Sequence, residues 1–260
     1  MGFPEAAWLF VAAFLAGAMN AVAGGGTVLT FPALLFFGMP AIQANATSTL
    51  ALMVGMCGSV AGYRNQIVQV RGLVLRFAGV SMIGGFLGAM LLTWTSEEAF
   101  EHLVPYLLLF ATICFIGHGI VRRWLQHSVP SRSDSRWGSG VWIAIGLQFF
   151  VAVYGGYFGA GIGILMLAAL GIMGMRDIHE MNALKTVLAA LINLVATVYF
   201  VFAGLIVWPQ AFVMTVGATV GYYVSSRMAL GIPQSIVRGI AAAIGLGISA
   251  LMFWRQFSGG

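Results

Sequence analysis

Ala23-Gly24-Gly25-Gly26, followed by Asn45-Ala46-Thr47-Ser48-Thr49, returns 137 residues later as Ala160-Gly161-Ile162-Gly163, followed by Asn182-Ala183-Leu184-Lys185-Thr186. A polar, glycine-broken motif that recurs in one register inside an apolar chain indicates two equivalent halves meeting around one site.

The surrounding composition decides the class. Of 260 residues, 60% are hydrophobic and 7% charged, and mean hydropathy is +0.97; a soluble domain carries about 25% charged residues. Crossing roughly 30 Å of hydrocarbon takes about 20 apolar residues, and several such runs follow one another with short polar breaks. The chain therefore reads as an all-α integral membrane protein with the lipid bilayer as its surroundings. Its net charge of +5 does not point to nucleic acid, because eleven of the twelve cations are arginines scattered through short loops and helix ends. Cys57 and Cys114 lie apart in apolar runs and read as packing residues. Ala21-Val22-Ala23 mimics a signal-peptidase site, but no basic segment precedes it and the repeat begins there, so it reads as uncleaved.

Ten hydrophobic elements fall into two sets of five, near 6–23, 27–38, 42–63, 70–93 and 101–122, then 140–157, 161–175, 178–203, 207–229 and 234–255. This divides the chain into a first transmembrane repeat at 1–122, a polar cytoplasmic linker at 123–139 and a second repeat at 140–260. The second element of each set is too short to span at 1.5 Å per residue and follows directly on the glycine break. Each first-plus-second pair thus reads as a helix, an unwound break and a returning half-helix, giving about eight full spans plus two half-helices. Unwound backbone at membrane depth is tolerated only when surrounded by protein or a water-filled cavity. The breaks are expected to face inward.

Loop charges orient the elements. Arg64, Arg71 and Arg76 flank one loop, Glu97, Glu98 and Glu101 fill the next, and Arg122, Arg123, Arg132 and Arg136 fill the linker. Arginine-rich loops are cytoplasmic, which places the glutamates outside. Continued through the second half, with Arg176 and Arg227 inside and the uncharged loop near Gly204 outside, this makes the halves an inverted repeat and puts both termini outside; Arg255 is the exception.

Three groups of residues carry the chemistry. Gly24, Gly25, Gly26 and Thr27, and again Gly161 and Gly163, permit positive φ and expose the unpaired N–H groups of a helix start, whose dipole attracts anions at mid-membrane. Close helix packing is the alternative use of such glycines. Asn45, Thr47, Ser48 and Thr49, with Asn182, open the long helices beside the half-helices and supply neutral donors; capping or interhelical bonding is the alternative. Lys185 is the sole lysine, about seven residues and so roughly 10 Å into an apolar helix. An ionisable group at that depth marks a functional site, the alternative being a snorkelling side chain paired with Glu180 or Asp177. Arg176, Asp177, His179 and Glu180 precede that helix, His179 and Glu180 being the titratable candidates for gating or proton coupling. Arg76 and Arg238 suit snorkelling, and Trp94, Trp137, Trp208 and Trp254 suit the interfacial belt.

The run Asn20-Ala21-Val22-Ala23-Gly24-Gly25-Gly26-Thr27-Val28-Leu29-Thr30-Phe31-Pro32-Ala33-Leu34, with Ala44-Asn45-Ala46-Thr47-Ser48-Thr49 and Gly58-Ser59-Val60-Ala61-Gly62-Tyr63-Arg64, resembles the TauE/SafE family of sulfite and organosulfonate exporters. The resemblance covers essentially the whole chain, the second half carrying a weaker version with Leu184-Lys185 where the first has Thr47-Ser48. It implies a multi-pass transporter of a bacterial-type inner membrane that moves small sulfur-containing or carboxylate anions, usually outward.

Together these readings give a secondary transporter that exports a small anion by alternating access, coupled to a proton or a counter-anion. An anion channel would share the half-helix dipoles, and an importer would share the site. An intramembrane enzyme is disfavoured: His102, His118, His127 and His179 form no HExxH pattern, the cysteines are isolated, and no metal or cofactor is expected.

Overall fold

The structure is a computed structural model describing residues 1–22, 25–128, 140–172, 175, 177–227 and 234–258. These residues form eleven helices and no strand. In chain order they are α1 (Phe3–Val22), α2 (Thr27–Phe36), α3 (Ala41–Gly62), α4 (Arg64–Gln69), α5 (Arg71–Trp94), α6 (Glu97–Ser128), α7 (Gly140–Tyr157), α8 (Ile162–Ile172), α9 (Ile178–Phe202), α10 (Trp208–Arg227) and α11 (Gln234–Ser258). The elements match the hydrophobic runs with two differences. The loop after the third run holds the six-residue helix α4, and α6 begins four residues before its apolar run and continues six beyond it, into the expected linker. Glu97 and Glu98 in its first turn suit the positive end of its dipole, and the rest of the linker, 129–139, lies outside the described residues.

α2 and α8 are short, at 10 and 11 residues. Both start directly after a break. Gly159, at φ +76°, closes α7 by donating its N–H to the Tyr154 carbonyl, and Gly161, at φ +77°, turns the chain into α8. Gly25 does the same before α2 at φ +95°. A side chain at these torsions would be strained, which is why glycine holds the turns.

The packing partners are specific. α1 lies against α10, and α5 against α7; α3 packs on α10 and α9, α9 on α5, and α6 on α11. The short helices are enclosed, α2 by α1, α3 and α11, and α8 by α7, α9 and α6. Two of these crossings depend on small residues. A Cβ on Gly88 or Gly156 would overlap the carbonyl oxygen of Val153 or Gly85 across the α5–α7 crossing, and one on Gly17 or Gly221 would overlap that of Ala218 or Phe14 across the α1–α10 crossing. Backbones in that contact maximise dispersion where lipid removes the usual hydrophobic drive.

The outside of the bundle is apolar. Leu75, Trp94, Trp142, Phe150, Phe202, Phe212 and Trp254 are exposed, while Thr30, Asn45, Thr47, Ser48, Ser81, Gln148 and Lys185 are buried. Burying polar groups and exposing large apolar ones reverses the arrangement of a soluble protein and suits a hydrocarbon solvent. Among the described residues, three helical segments are long and apolar enough to cross a membrane: Phe3–Ala21, Arg71–Trp94 and His179–Phe202.

Candidate functional site

Six helices and the two breaks converge on a cavity of about 50 Å³. α1 contributes Asn20 and Ala21, the first break Gly25, and α2 Thr27; α3 contributes Thr49, Leu52 and Met56. From the second half come Gly159, Ile162 and Gly163 at the break, Lys185, Thr186, Ala189 and Asn193 on α9, and Tyr222 on α10. Four lining pairs stand 137 residues apart: Gly25 and Ile162, Thr49 and Thr186, Leu52 and Ala189, Met56 and Asn193.

The lining positions on α3 and α9 follow helical spacing. Asn182, Lys185, Thr186, Ala189 and Asn193 lie on one stripe of α9, and Asn45, Thr49, Leu52 and Met56 on the corresponding stripe of α3. Lys185 is 6% exposed, and its Nζ donates to the Asn182 Oδ1 at 3.1 Å. Among the described residues no carboxylate pairs with it; Asp177 instead caps α9, accepting from the His179 and Glu180 N–H groups at 2.7 and 3.1 Å. Those two bonds, Glu180 first, hold the Asp177 carboxyl below the usual carboxylate range. His179 is exposed at the helix start, and neither it nor Glu180 lines the cavity. Arg176 lies outside the described residues.

The expected donors divide into two sets. Gly25, Thr27, Thr49, Gly163 and Lys185 line the cavity. Gly24 lies outside the described residues. Gly26 caps α2 and donates its N–H to the Asn20 Oδ1 at 2.6 Å, while Gly161 packs against Ala111 of α6. Asn45, Thr47 and Ser48 are buried behind the lining and each bonds to the frame: the Asn45 Nδ2 donates to the Tyr157 carbonyl at 2.9 Å while its Oδ1 has no partner among the described residues, the Thr47 Oγ1 accepts from the Val207 N–H at 3.2 Å, and the Ser48 and Thr30 hydroxyls pair at 2.6 Å. They tie α3 to α7, α2 and the chain leading into α10.

Asn20, Thr186, Asn193 and Tyr222 complete the polar lining. The Thr186 position and the Asn193 stripe were readable from the α9 spacing, eight residues separating Lys185 from Asn193. Tyr222 was not, since α10 is set against α3 only by packing. Its buried hydroxyl faces the Asn20 side chain without a hydrogen bond of ordinary geometry. Behind the breaks, Phe31, Phe100 and Phe158 form a buried edge-to-face cluster, with the Phe31 and Phe158 centroids 5.3 Å apart. Among the described residues no cluster of His, Cys, Asp and Glu is placed to ligate a metal.

A buried amine beside hydroxyls, side-chain amides and two helix starts can hold an anion by charge-assisted hydrogen bonds. Residues 9–252 match the family model described as Sulfite exporter TauE/SafE. The chain belongs to the TauE/SafE family. Among curated relatives in sequence, it is 28% identical to a "Probable membrane transporter protein" of Haemophilus influenzae, over 98% of this chain and 97% of the relative. It is 26% identical to "Probable membrane transporter protein YfcA" of Escherichia coli, over 95% of this chain and 88% of that one. It is also 27% identical to "Probable membrane transporter protein ORF9" of a Sinorhizobium species, over 96% and 92%. No solved structure matches the chain. TauE/SafE membership, the named relatives and the apolar exterior make this a membrane-embedded protein of a transporter family.

Proposed function

We propose that this chain is a secondary transporter that exports a small anion, such as sulfite, an organosulfonate or a related carboxylate, across the inner membrane by alternating access. The observation that carries the proposal is the convergence of both glycine breaks, Lys185 and the neutral donors Asn20, Thr27, Thr49, Thr186, Asn193 and Tyr222 on one cavity. Lys185 supplies charge, the break amides and hydroxyls supply donors, and Asn45, Thr47 and Ser48 hold the frame.

The transport cycle follows from a repeat. Exchanging α1, α2, α3, α5 and α6 for α7, α8, α9, α10 and α11 turns the α1–α10 contact into α7–α5, α3–α10 into α9–α5, and α2–α11 into α8–α6, all of them present. The α3–α9 and α6–α11 contacts map onto themselves. That exchange and the paired lining positions support two five-element repeats around a shared axis, inverted as the loop charges indicate, with eight full spans and two half-helices. Rocking one repeat against the other would expose the cavity to each side in turn.

A thermal-shift screen of the purified protein against sulfite, sulfate, taurine, sulfoacetate and small carboxylates tests the anion site, since a ligand of the folded state stabilises it by mass action. Saturable uptake into sealed liposomes supports a carrier. Large uncoupled conductance would make it a channel, and strict inward driving in cells an importer.

A further inference from the structure

The cavity is lined by an amine that, among the described residues, has no partner of opposite charge. Lys185 is buried, and among the described residues its amine has one hydrogen-bond partner, the neutral Asn182 Oδ1. The helices packed on α9 bring no ionised group to it. α3 carries only Cys57, which is exposed, α4 carries Arg64, and α5 carries Arg71 and Arg76, all exposed. α8 has no titratable residue. On α7 the Tyr154 hydroxyl donates to the Ala160 carbonyl and that of Tyr157 pairs with Thr95. On α9 itself Tyr199 pairs with Thr93, and His179 and Glu180 sit at the helix start. The other titratable group lining the cavity is Tyr222 of α10.

An ammonium enclosed without a counter-charge is costly, and an anion placed beside it removes most of that cost. Proton and anion therefore each favour the binding of the other, by the same coupling free energy. Resting on the anion-transport reading above, we propose that Lys185 is the proton carrier of the cycle, crossing as an ammonium paired with a monovalent anion and returning empty as a neutral amine. On the loading side the Nζ lone pair takes a proton from hydronium, forming an N–H bond as the anion enters. On the release side the ammonium returns that proton to water as the anion leaves. The loaded and empty sites then carry the same net charge, so one proton moves with each monovalent anion and no current flows. His179 and Glu180, outside the cavity, are not needed for this step.

The test uses the full chain in sealed liposomes holding a pH-sensitive dye, with labelled methanesulfonate and isethionate as probes because neither titrates near neutral pH. The expected result is lumen acidification of one proton per anion taken up, with no membrane potential. In Lys185→Arg, which keeps the charge permanently, the ratio of net uptake to anion-for-anion exchange should fall at least about tenfold, whatever the absolute exchange rate. His179→Asn and Glu180→Gln should keep the wild-type ratio. Anion uptake by the wild type without acidification, or with a diffusion potential, overturns the proposal and leaves the transporter reading standing; so does loss of proton movement in His179→Asn or Glu180→Gln with exchange intact. Absence of any sulfonate or sulfite flux overturns the anion-transport reading and this proposal with it.

Discussion

The Asn20 Oδ1 accepts the backbone N–H of Gly26 at 2.6 Å, so a side chain in the last turn of α1 spans the first break and fixes the start of α2. The capping residue of this short helix is thus held by the helix before it, and the same amide group borders the cavity. Asn20→Ala leaves the buried Gly26 donor without its acceptor, which costs about 1–3 kcal/mol. A lowered unfolding midpoint in detergent is the expected outcome. Asn20→Asp retains the acceptor but puts a carboxylate beside the anion, so the stabilisation given by bound anion should vanish. Equal anion-induced shifts in Asn20→Asp and wild type would remove Asn20 from the site.

The two faces of α5 should respond to alanine with opposite signs. At Gly88 the new Cβ overlaps the Val153 carbonyl and lies 2.7 Å from the Tyr157 N, both backbone atoms that cannot turn aside. Gly88→Ala is expected to destabilise by about 1–3 kcal/mol or to block assembly. Gly79 meets nothing within 4 Å, so Gly79→Ala should be neutral or stabilising by up to about 1 kcal/mol through helix propensity. Thermal melts monitored by size-exclusion fluorescence would separate them.

Thr47 and Thr186 lie near each other in the repeat pattern but do different work. Thr47→Val removes the acceptor of the Val207 N–H and should lower stability by about 1 kcal/mol while leaving anion affinity unchanged. Thr186 lines the cavity, and among the described residues its hydroxyl has no hydrogen-bond partner. Thr186→Val should change stability by less than about 0.5 kcal/mol yet weaken anion binding about 5–10-fold, the value of one hydrogen bond. Titration of the thermal shift against anion concentration gives both quantities.

Asp177 links the start of α9 to pH. Its carboxyl is held below its ordinary pKa of about 3.9 by the Glu180 and His179 N–H groups. Its contribution is therefore complete above that ordinary value and lost as pH falls through the lower, folded one. Amide exchange at His179 and Glu180 should stay protected from neutral pH down to about 4 and rise below it. Asp177→Ala should exchange fast at every pH.

Replacing Lys185 with Met or Gln removes the cavity's cation. Charged hydrogen bonds contribute about 1.5–3 kcal/mol, so anion affinity should fall roughly 10–150-fold with the fold retained. Unchanged affinity in a well-folded variant would sink the role of Lys185.

The chain's own pattern determined the membrane class, the helical elements, the two breaks and the depth of Lys185 in its helix, because each depends on local composition or spacing. Hydrophobic run length sets a helix, and glycine sets where it can turn. The sequence also carried the α9 stripe that ends at Asn193. Tertiary structure decided which donors remain open to a ligand. Asn45, Thr47 and Ser48 look equivalent to Thr49 in sequence, yet they spend their hydrogen bonds on Tyr157, Val207 and Thr30, groups supplied by elements 18 to 160 residues away. Tyr222 enters the cavity because α10 packs on α3, where Gly55 leaves room for its ring, a contact written in no local motif. Whether a buried polar group binds the protein or a ligand depends on its partners in space, and those are a property of packing.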